Sequence, residues 1–506
     1  MARIETTHHH GSHRPLIWSA DEATPPVKVD AIIVPTARPV AYLKEAATAA
    51  LSLGCPLVTL HSRRWTSASA AAAYLEPAVD LIAIDVPDAA RLRLPELETS
   101  RLLAGTIFER RTDLSTKRNL ALVLSHKLRW KRIIFLDDDI RVPDPGDLSR
   151  AAGLLDAHTA VGLGIAGFPD NSVVCHAFRA VGGSQETFIG GGALAVAMKR
   201  NRSFFPNIYN DDWLFVLDAG KRLQSVASVG QVLQYPYDPY RVERARAEEF
   251  GDVLAEGIFW LLDQGKPASD GDLAHWRDFL EHRRRFIEQV RSMVESQTDI
   301  DSTVRTRMEE ALTAALGRCA CITEELCDAY MKALAADQDR WQRHIHRIWR
   351  QPVQSREEAL KSLTVRGETP LTWYTTKTPV REPSAARRRR PLTAPMPPWR
   401  PIRAGELQVT IPSSPLALEP SGLTAAKPVS PLLPRTGVPV SHATHALVTA
   451  QIALACQQRS DGDGEGRPSQ LGHPLPQGVA MRYQIRLISS RRPRLAATGV
   501  TERRRG

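Results

Sequence analysis

Cysteine is scarce in this chain: six in 506 residues (Cys55, Cys175, Cys319, Cys321, Cys327 and Cys456), at spacings that make no disulfide framework. That excludes a disulfide-stapled secreted scaffold and makes a reducing compartment the default. The opening MARIETTHHHGSHRPL lacks the apolar core of a secretory signal. No stretch reaches the roughly 18 uninterrupted apolar residues of a membrane-spanning helix. The reading therefore expects a cytoplasmic chain with no transmembrane segment. No internal repeat is visible either.

What is present in excess is basic charge and proline, both unevenly placed. Lys and Arg total 66 against 56 Asp and Glu, a formal net charge of +10, and there are 36 prolines. Much of the basic excess falls in a late stretch that includes Arg387 to Arg390. It supports only a weak, salt-sensitive attraction to anionic partners, with no specific nucleic acid. Hydrophobic residues make up 43%, enough for a real core, and the length suggests more than one domain.

Residues 1–28 read as a loose, disordered leader, whose histidine run either binds a metal weakly or has no role. From Asp30 short apolar runs recur: Ala31 to Val34, Pro56 to Leu60, Leu81 to Ile84 and Arg132 to Leu136. They have the length of buried parallel strands. Between them lie helical stretches, Val40 to Leu53 and about Ser115 to Lys127. Alternation of this kind predicts an α/β fold with a mostly parallel sheet and flanking helices, over residues 29–262. Ligands of such sheets lie beyond the carboxyl ends of the strands. A helical region follows over 263–350, with Leu273, Trp276, Leu280, Ile287, Val290 and Val294 on one stripe. Residues 368–506 turn to Pro, Arg, Ser and Gly and are expected to be disordered.

The run Ile133-Ile134-Phe135-Leu136 ends in Asp137, Asp138 and Asp139. Adjacent acids raise one another's pKa unless a cation neutralises them, and a hard divalent ion fits that need. Strand alternation would put Asp137 and Asp139 on one side, as a metal pair, and Asp138 on the other. The alternative is an acidic loop that caps the next helix or faces solvent. Lys117 and Arg118 open a helix, where the dipole favours anions, or they form a solvated basic face. Gly190, Gly191 and Gly192 remove side chains where another group must come close, or they mark a bulge. Asp211 and Asp212 open a helix and act chemically there, or Asn210 and Asp211 cap a helix that begins near Asp212.

In order and spacing these motifs resemble the GT-A glycosyltransferases, in particular the large family-2-like group, over about residues 30 to 240. The matching elements are Ile32 to Pro39, Ser115 to Leu122, the Asp137–Asp139 strand, Phe188 to Val196 and Tyr209 to Phe215. The resemblance implies a metal-dependent transfer of a sugar from a nucleoside diphosphate donor to a hydroxyl acceptor. It implies that Pro35, Thr36, Arg38, Lys117, Arg118, Asn119, Asp137, Asp138, Gly191 and Gly192 bind the donor. Asp137 and Asp139 would hold Mn2+ or Mg2+, and Asp212, with Asp211 beside it, would be the catalytic base. The loop Thr36-Ala37-Arg38 lacks the acid that usually contacts the nucleobase in that family. A further histidine ligand is left unassigned among His176, His275, His282, His344 and His346. Cys319, Cys321 and Cys327 read as buried thiols, and Tyr235 to Arg241 as a closing segment or lid. Two rival readings remain: a sugar nucleotidyltransferase, which usually carries a glycine-rich phosphate loop absent here, and a non-catalytic scaffold with a basic tail.

Overall fold

The computed structural model describes residues 6–20, 24–168, 172–186, 188–218, 222–365 and 367–376. Most of the basic tail, from residue 377 on, lies outside the described residues, and with it the expectation of disorder there.

The first part of the chain gives β1 (Trp18–Ser19), β2 (Ala31–Thr36), α1 (Lys44–Leu53), β3 (Leu57–His61), α2 (Ala68–Tyr74), β4 (Leu81–Asp85) and α3 (Glu98–Leu103). Then come α4 (Leu114–Lys127), β5 (Arg132–Leu136), β6 (Ile140–Arg141), α5 (Pro145–Leu154), β7 (Ala160–Gly167), α6 (Val173–Ala180) and β8 (Ala193–Ala197). The short elements α7 (Asp211–Phe215), β9 (Leu217–Asp218) and β10 (Arg222–Leu223) precede β11 (Val226–Gln234). Five helices follow: α8 (Val242–Asp263), α9 (Leu273–Ser296), α10 (Ser302–Cys319), α11 (Glu324–Trp349) and α12 (Arg356–Lys361). The strand β12 (Thr372–Thr375) comes last.

The fold is α/β, with a mixed, mostly parallel sheet and helices on both faces. The strand order is β1-β11-β7-β8-β5-β2-β3-β4-β12, and β6 pairs with β11 off that path. β2 is parallel to β3 and β5, and β3 to β4, whereas β8 runs antiparallel between β5 and β7. Alternate residues of each strand enter different cores. Ala31, Ile33, Ile133 and Phe135 face one, with α4, α8 and α11, while Ile32, Val34, Ile134 and Leu136 face the other, with α1, α2 and α5. Because both faces are covered, these strands read as unbroken apolar runs.

The long helices join the sheet's core. Trp276, Tyr330 and Trp341, all fully buried, belong to the same apolar cluster as Phe135 and Phe205. A third cluster holds α6, α9 and α10 together through Phe178, Phe286 and Leu312. The last described segment also departs from the sequence reading, which puts residues 368 onward in the tail. Thr372–Thr375 instead add a strand antiparallel to β4.

The leader differs as well. His9 and His13 are buried, His9 beside Glu256 and His13 Nδ1 2.5 Å from Asp263. β1 pairs in parallel with β11. Burial of imidazoles against acids on α8 holds this segment in place, a contact that composition alone does not show.

Candidate active site

The strand order reverses at β2, with β3 on one side and β5 on the other. Such a switch point leaves a crevice beyond the carboxyl ends of the strands. A cavity of about 420 Å³ opens there, lined by the ends of β2 and β5, by the loop after β3 and by the start of α4. Pro35, Thr36, Arg38, Lys117, Asp137, Asp138, Asp139 and Gly192 all line it.

The acids are not on a strand. β5 ends at Leu136, and Ile140 N–H donates to Asp137 O at 3.2 Å, closing a turn into β6. Side-chain alternation therefore does not apply, and the expected division of Asp137 and Asp139 from Asp138 is corrected. Asp138 and Asp139 share Arg38, with Arg38 Nη2 3.0 Å from Asp139 Oδ2. Thr36 Oγ1 donates to Asp138 at 2.6 Å. Asp137 turns the other way, to Arg118 Nη2 at 3.3 Å. Burial works against the charge on Arg38, but Asp138 and Asp139 outweigh it and raise its pKa.

Lys117 is buried in the first turn of α4 and spans two strand ends. Its ammonium donates to Thr36 O at 2.9 Å and to Ser62 Oγ at 2.6 Å, and pairs with Asp113 at 3.2 Å. Those three oxygens use all its donors. Burial pulls its pKa down, against the pull of Asp113.

A second, smaller cavity of about 150 Å³ meets the first along Leu114, Asp137 and Gly192. Arg118, Gly191, Asp211 and Asp212 line it. Arg118 Nη1 donates to both oxygens of Asp211, at 2.9 and 3.2 Å. Burial disfavours the guanidinium charge, yet Asp211, Asp137 and Asp212 together raise its pKa and keep it charged. Asp212 Oδ2 accepts from Gly191 N–H at 2.5 Å and its Oδ1 from Trp213 N–H at 2.9 Å. Capping does not account for this pair: Asn210, the residue before α7, makes no side-chain cap and instead donates to Asp252 at 2.9 Å.

The glycines precede β8 as a turn, where the sequence reading has a strand. A Cβ on Gly191 would lie 2.7 Å from both terminal nitrogens of Arg118, so the guanidinium occupies the space a side chain would need. Asn119 is not brought to either cavity. Its amide clamps the Phe205 backbone through two bonds of 2.8 Å, and it faces a third cavity of about 1050 Å³ beside the first. The Tyr235–Arg241 segment is tied down: Tyr237 Oη meets His176 Nε2 at 2.9 Å and Arg244 at 3.1 Å.

Sequence reasoning missed Arg63 and Trp65 in the first cavity, and Arg110, Cys175, Gln185 and Glu256 in the second. The first two follow the apolar run at Leu57, so the same rule of strand ends applies to them. The others carry no sequence signal, because the fold brings them in from distant helices and loops.

No family model matches the chain, and no curated protein does. Among solved structures it is similar to a mannosyltransferase, PcManGT from Pyrobaculum calidifontis, in complex with GDP-Man and Mn2+. The identity is 15%, over 62% of this chain and 89% of that one, with a TM-score of 0.32. A likeness of that size carries no argument about chemistry, which rests on the site. Among the described residues no helix is long and apolar enough to cross a membrane.

Proposed function

We propose that the protein is a metal-dependent GT-A glycosyltransferase, moving a sugar from a nucleoside diphosphate to a hydroxyl acceptor. What carries the reading is the meeting of two cavities at Asp137 and Gly192, with the acid turn in one and Asp212 in the other. In this reading the larger cavity takes the donor and the smaller one the acceptor.

The donor set fits a hard divalent ion. Asp137, Asp138, Asp139 and Asp211 are all oxygen ligands, and the four share two guanidiniums, Arg38 and Arg118. That leaves a negative surplus at the acid turn which Mn2+ or Mg2+, with Asp139 among its ligands, would offset. When bound, the ion would stabilise charge on the departing diphosphate.

The protein's own residues supply the rest. Arg38 and Thr36 orient the acid turn from β2. Lys117 fixes the ends of β2 and β3 relative to each other, so the crevice wall keeps its shape. Asp212, turned by two backbone N–H groups, accepts the acceptor's hydroxyl proton as its oxygen attacks the anomeric carbon. Asp211 acts through Arg118, which it fixes beside Gly191. Domain limits of 29–262 for the transferase unit and 263–350 for the helical region belong to the same proposal.

The test is calorimetry with UDP-, GDP- and ADP-sugars, with and without Mn2+, on the wild type and two variants. One donor should bind only with metal. Asp139→Ala should lose that binding and turnover, with the fold intact. Asp212→Asn should keep donor binding but lose about 10²- to 10⁴-fold in kcat. Wild-type-like turnover in Asp139→Ala would overturn the metal assignment, and no donor binding by folded protein would overturn the class.

A further inference from the structure

The inner end of the smaller cavity holds a group of side chains that the transfer chemistry does not use. His9 from the N-terminal segment, Cys175 from α6 and Glu256 from α8 are all buried, and one donor atom of each lies within 4.8 Å of the others. Their orientation is set from outside. Gln185 Nε2 donates to Glu186 O at 3.1 Å, which turns the amide so that its Oε1 faces His9 Nε2. Nε2 then carries a hydrogen, which leaves Nδ1 to take either a proton or a metal. Nδ1 faces Glu256 Oε2 at 3.0 Å, while Glu256 Oε1 lies 3.7 Å from Cys175 Sγ. A lone pair and a carboxylate oxygen so placed need a cation between them.

Glu249, Asp252 and Glu256 lie on one face of α8, and all three bond to the single guanidinium of Arg283, at 2.7 to 3.1 Å. We infer that His9 Nδ1, Cys175 Sγ and Glu256 form a zinc-type divalent metal site, distinct from the acid turn, that fastens the N-terminal segment onto α6 and α8. A tetrahedral zinc ion with one N, one O and one S ligand needs N···O of about 3.3 Å and S···O of about 3.5 Å. Nδ1 lies 3.0 Å from Oε2 and Sγ 3.7 Å from Oε1, each close to those values but on different oxygens of Glu256, and Sγ lies 3.9 Å from Nε2, so the ligands reach a common ion after a small rotation of the carboxylate and the imidazole. Cys175, Glu256 and Gln185 all line the cavity, so the fourth position faces it. His9 would keep its second-sphere bond to Gln185, an arrangement common for metal-bound imidazole. The alternative is a proton in place of the metal, giving a buried imidazolium–carboxylate pair.

The experiment uses untagged full-length protein, so that no added histidines compete. Bound zinc is measured by elemental analysis, and metal-stripped protein is titrated with Co2+, whose thiolate charge-transfer band reports sulfur ligation directly. About one equivalent of zinc and a cobalt–thiolate band are expected in the wild type. The band should vanish in Cys175→Ser, and cobalt affinity should fall at least tenfold in His9→Ala. Both should persist in Asp139→Ala, which separates this site from the acid turn, and in His10→Ala, which rules out the half-buried neighbouring histidine. If Cys175→Ser does not fold, His9→Ala decides, because it alters only the N-terminal segment. Folded wild type that gives no thiolate band overturns the proposal in favour of the protonated pair, whatever the outcome of the donor titrations.

Discussion

At Gly191 an added Cβ would come 2.7 Å from both terminal nitrogens of Arg118, too close for either to stay. Gly191→Ala should therefore dislodge a guanidinium that otherwise touches Asp211 and Asp137. Turnover is expected to fall about 100-fold, the order of a lost electrostatic partner in an active site. The melting temperature should fall by several degrees as well, since Arg118 is buried over the ring of Phe205 in the apolar core and pairs the buried Asp211. Steady-state kinetics and a thermal melt check both, and unchanged turnover would show that Arg118 can move freely. At this scale the sequence was informative about which residues gather at the two cavities and less so about how they are arranged. The Arg118 helix start is where expected, but the acids and the glycines lie in turns beside their strands, and the turn after Leu136 sets the acids' partners. Strand alternation cannot foresee where a strand stops, because that depends on a backbone bond between Ile140 and Asp137.

The helices show the same limit one level up. α4 reads from its sequence as a helix of about Ser115 to Lys127, and it spans Leu114–Lys127. What the pattern does not show is its burial on all sides, between the sheet and α11, where His126 Nδ1 accepts from Trp349 Nε1 at 3.1 Å. Nor does it show that α3 is capped by a distant helix. The residue before α3 is Leu97, which has no side chain able to cap. Asp337 of α11, fully buried, supplies the acceptors instead, bonding Glu98 N–H at 2.7 Å and Thr99 N–H and Oγ1 at 2.8 Å. Asp337→Ala would leave those donors buried and unmet, at a cost of about 2–4 kcal/mol. Denaturant unfolding of the variant measures this, and a loss under about 1 kcal/mol would mean that water replaces the carboxylate.

For the molecule as a whole, buried titratable groups set the response to acid. Burial lowers His126 and His176 to about 3, and His61 and His344 to about 4, with Arg129, Arg244, Lys117 and Arg347 respectively adding to the effect. A histidine kept neutral in the fold stabilises it above the unfolded value of about 6.5, and that stability is lost as the pH falls below it. Glu248 and Glu249, raised by burial to about 7, act oppositely between about 4.5 and 7. The lowered histidines, His10, His158, His275 and His282 included, outnumber the raised carboxyls, Asp211 and Asp252 included, so the melting temperature should drop from pH 6.5 towards pH 4. Scanning calorimetry across that range tests the sign, and a midpoint that rises on acidification would contradict it. The sheet was legible at this scale because its central strands are fully covered. Its edges were not, since β1 and β12 are short and sit in stretches that read as leader and tail. That late strand has a consequence for how the protein is made. Thr372 pairs with Asp85 across nearly three hundred residues, so until synthesis has passed residue 376 the growing chain exposes β4 as an unpaired border. Such a border recruits other strands, and the nascent protein will need shielding during that interval.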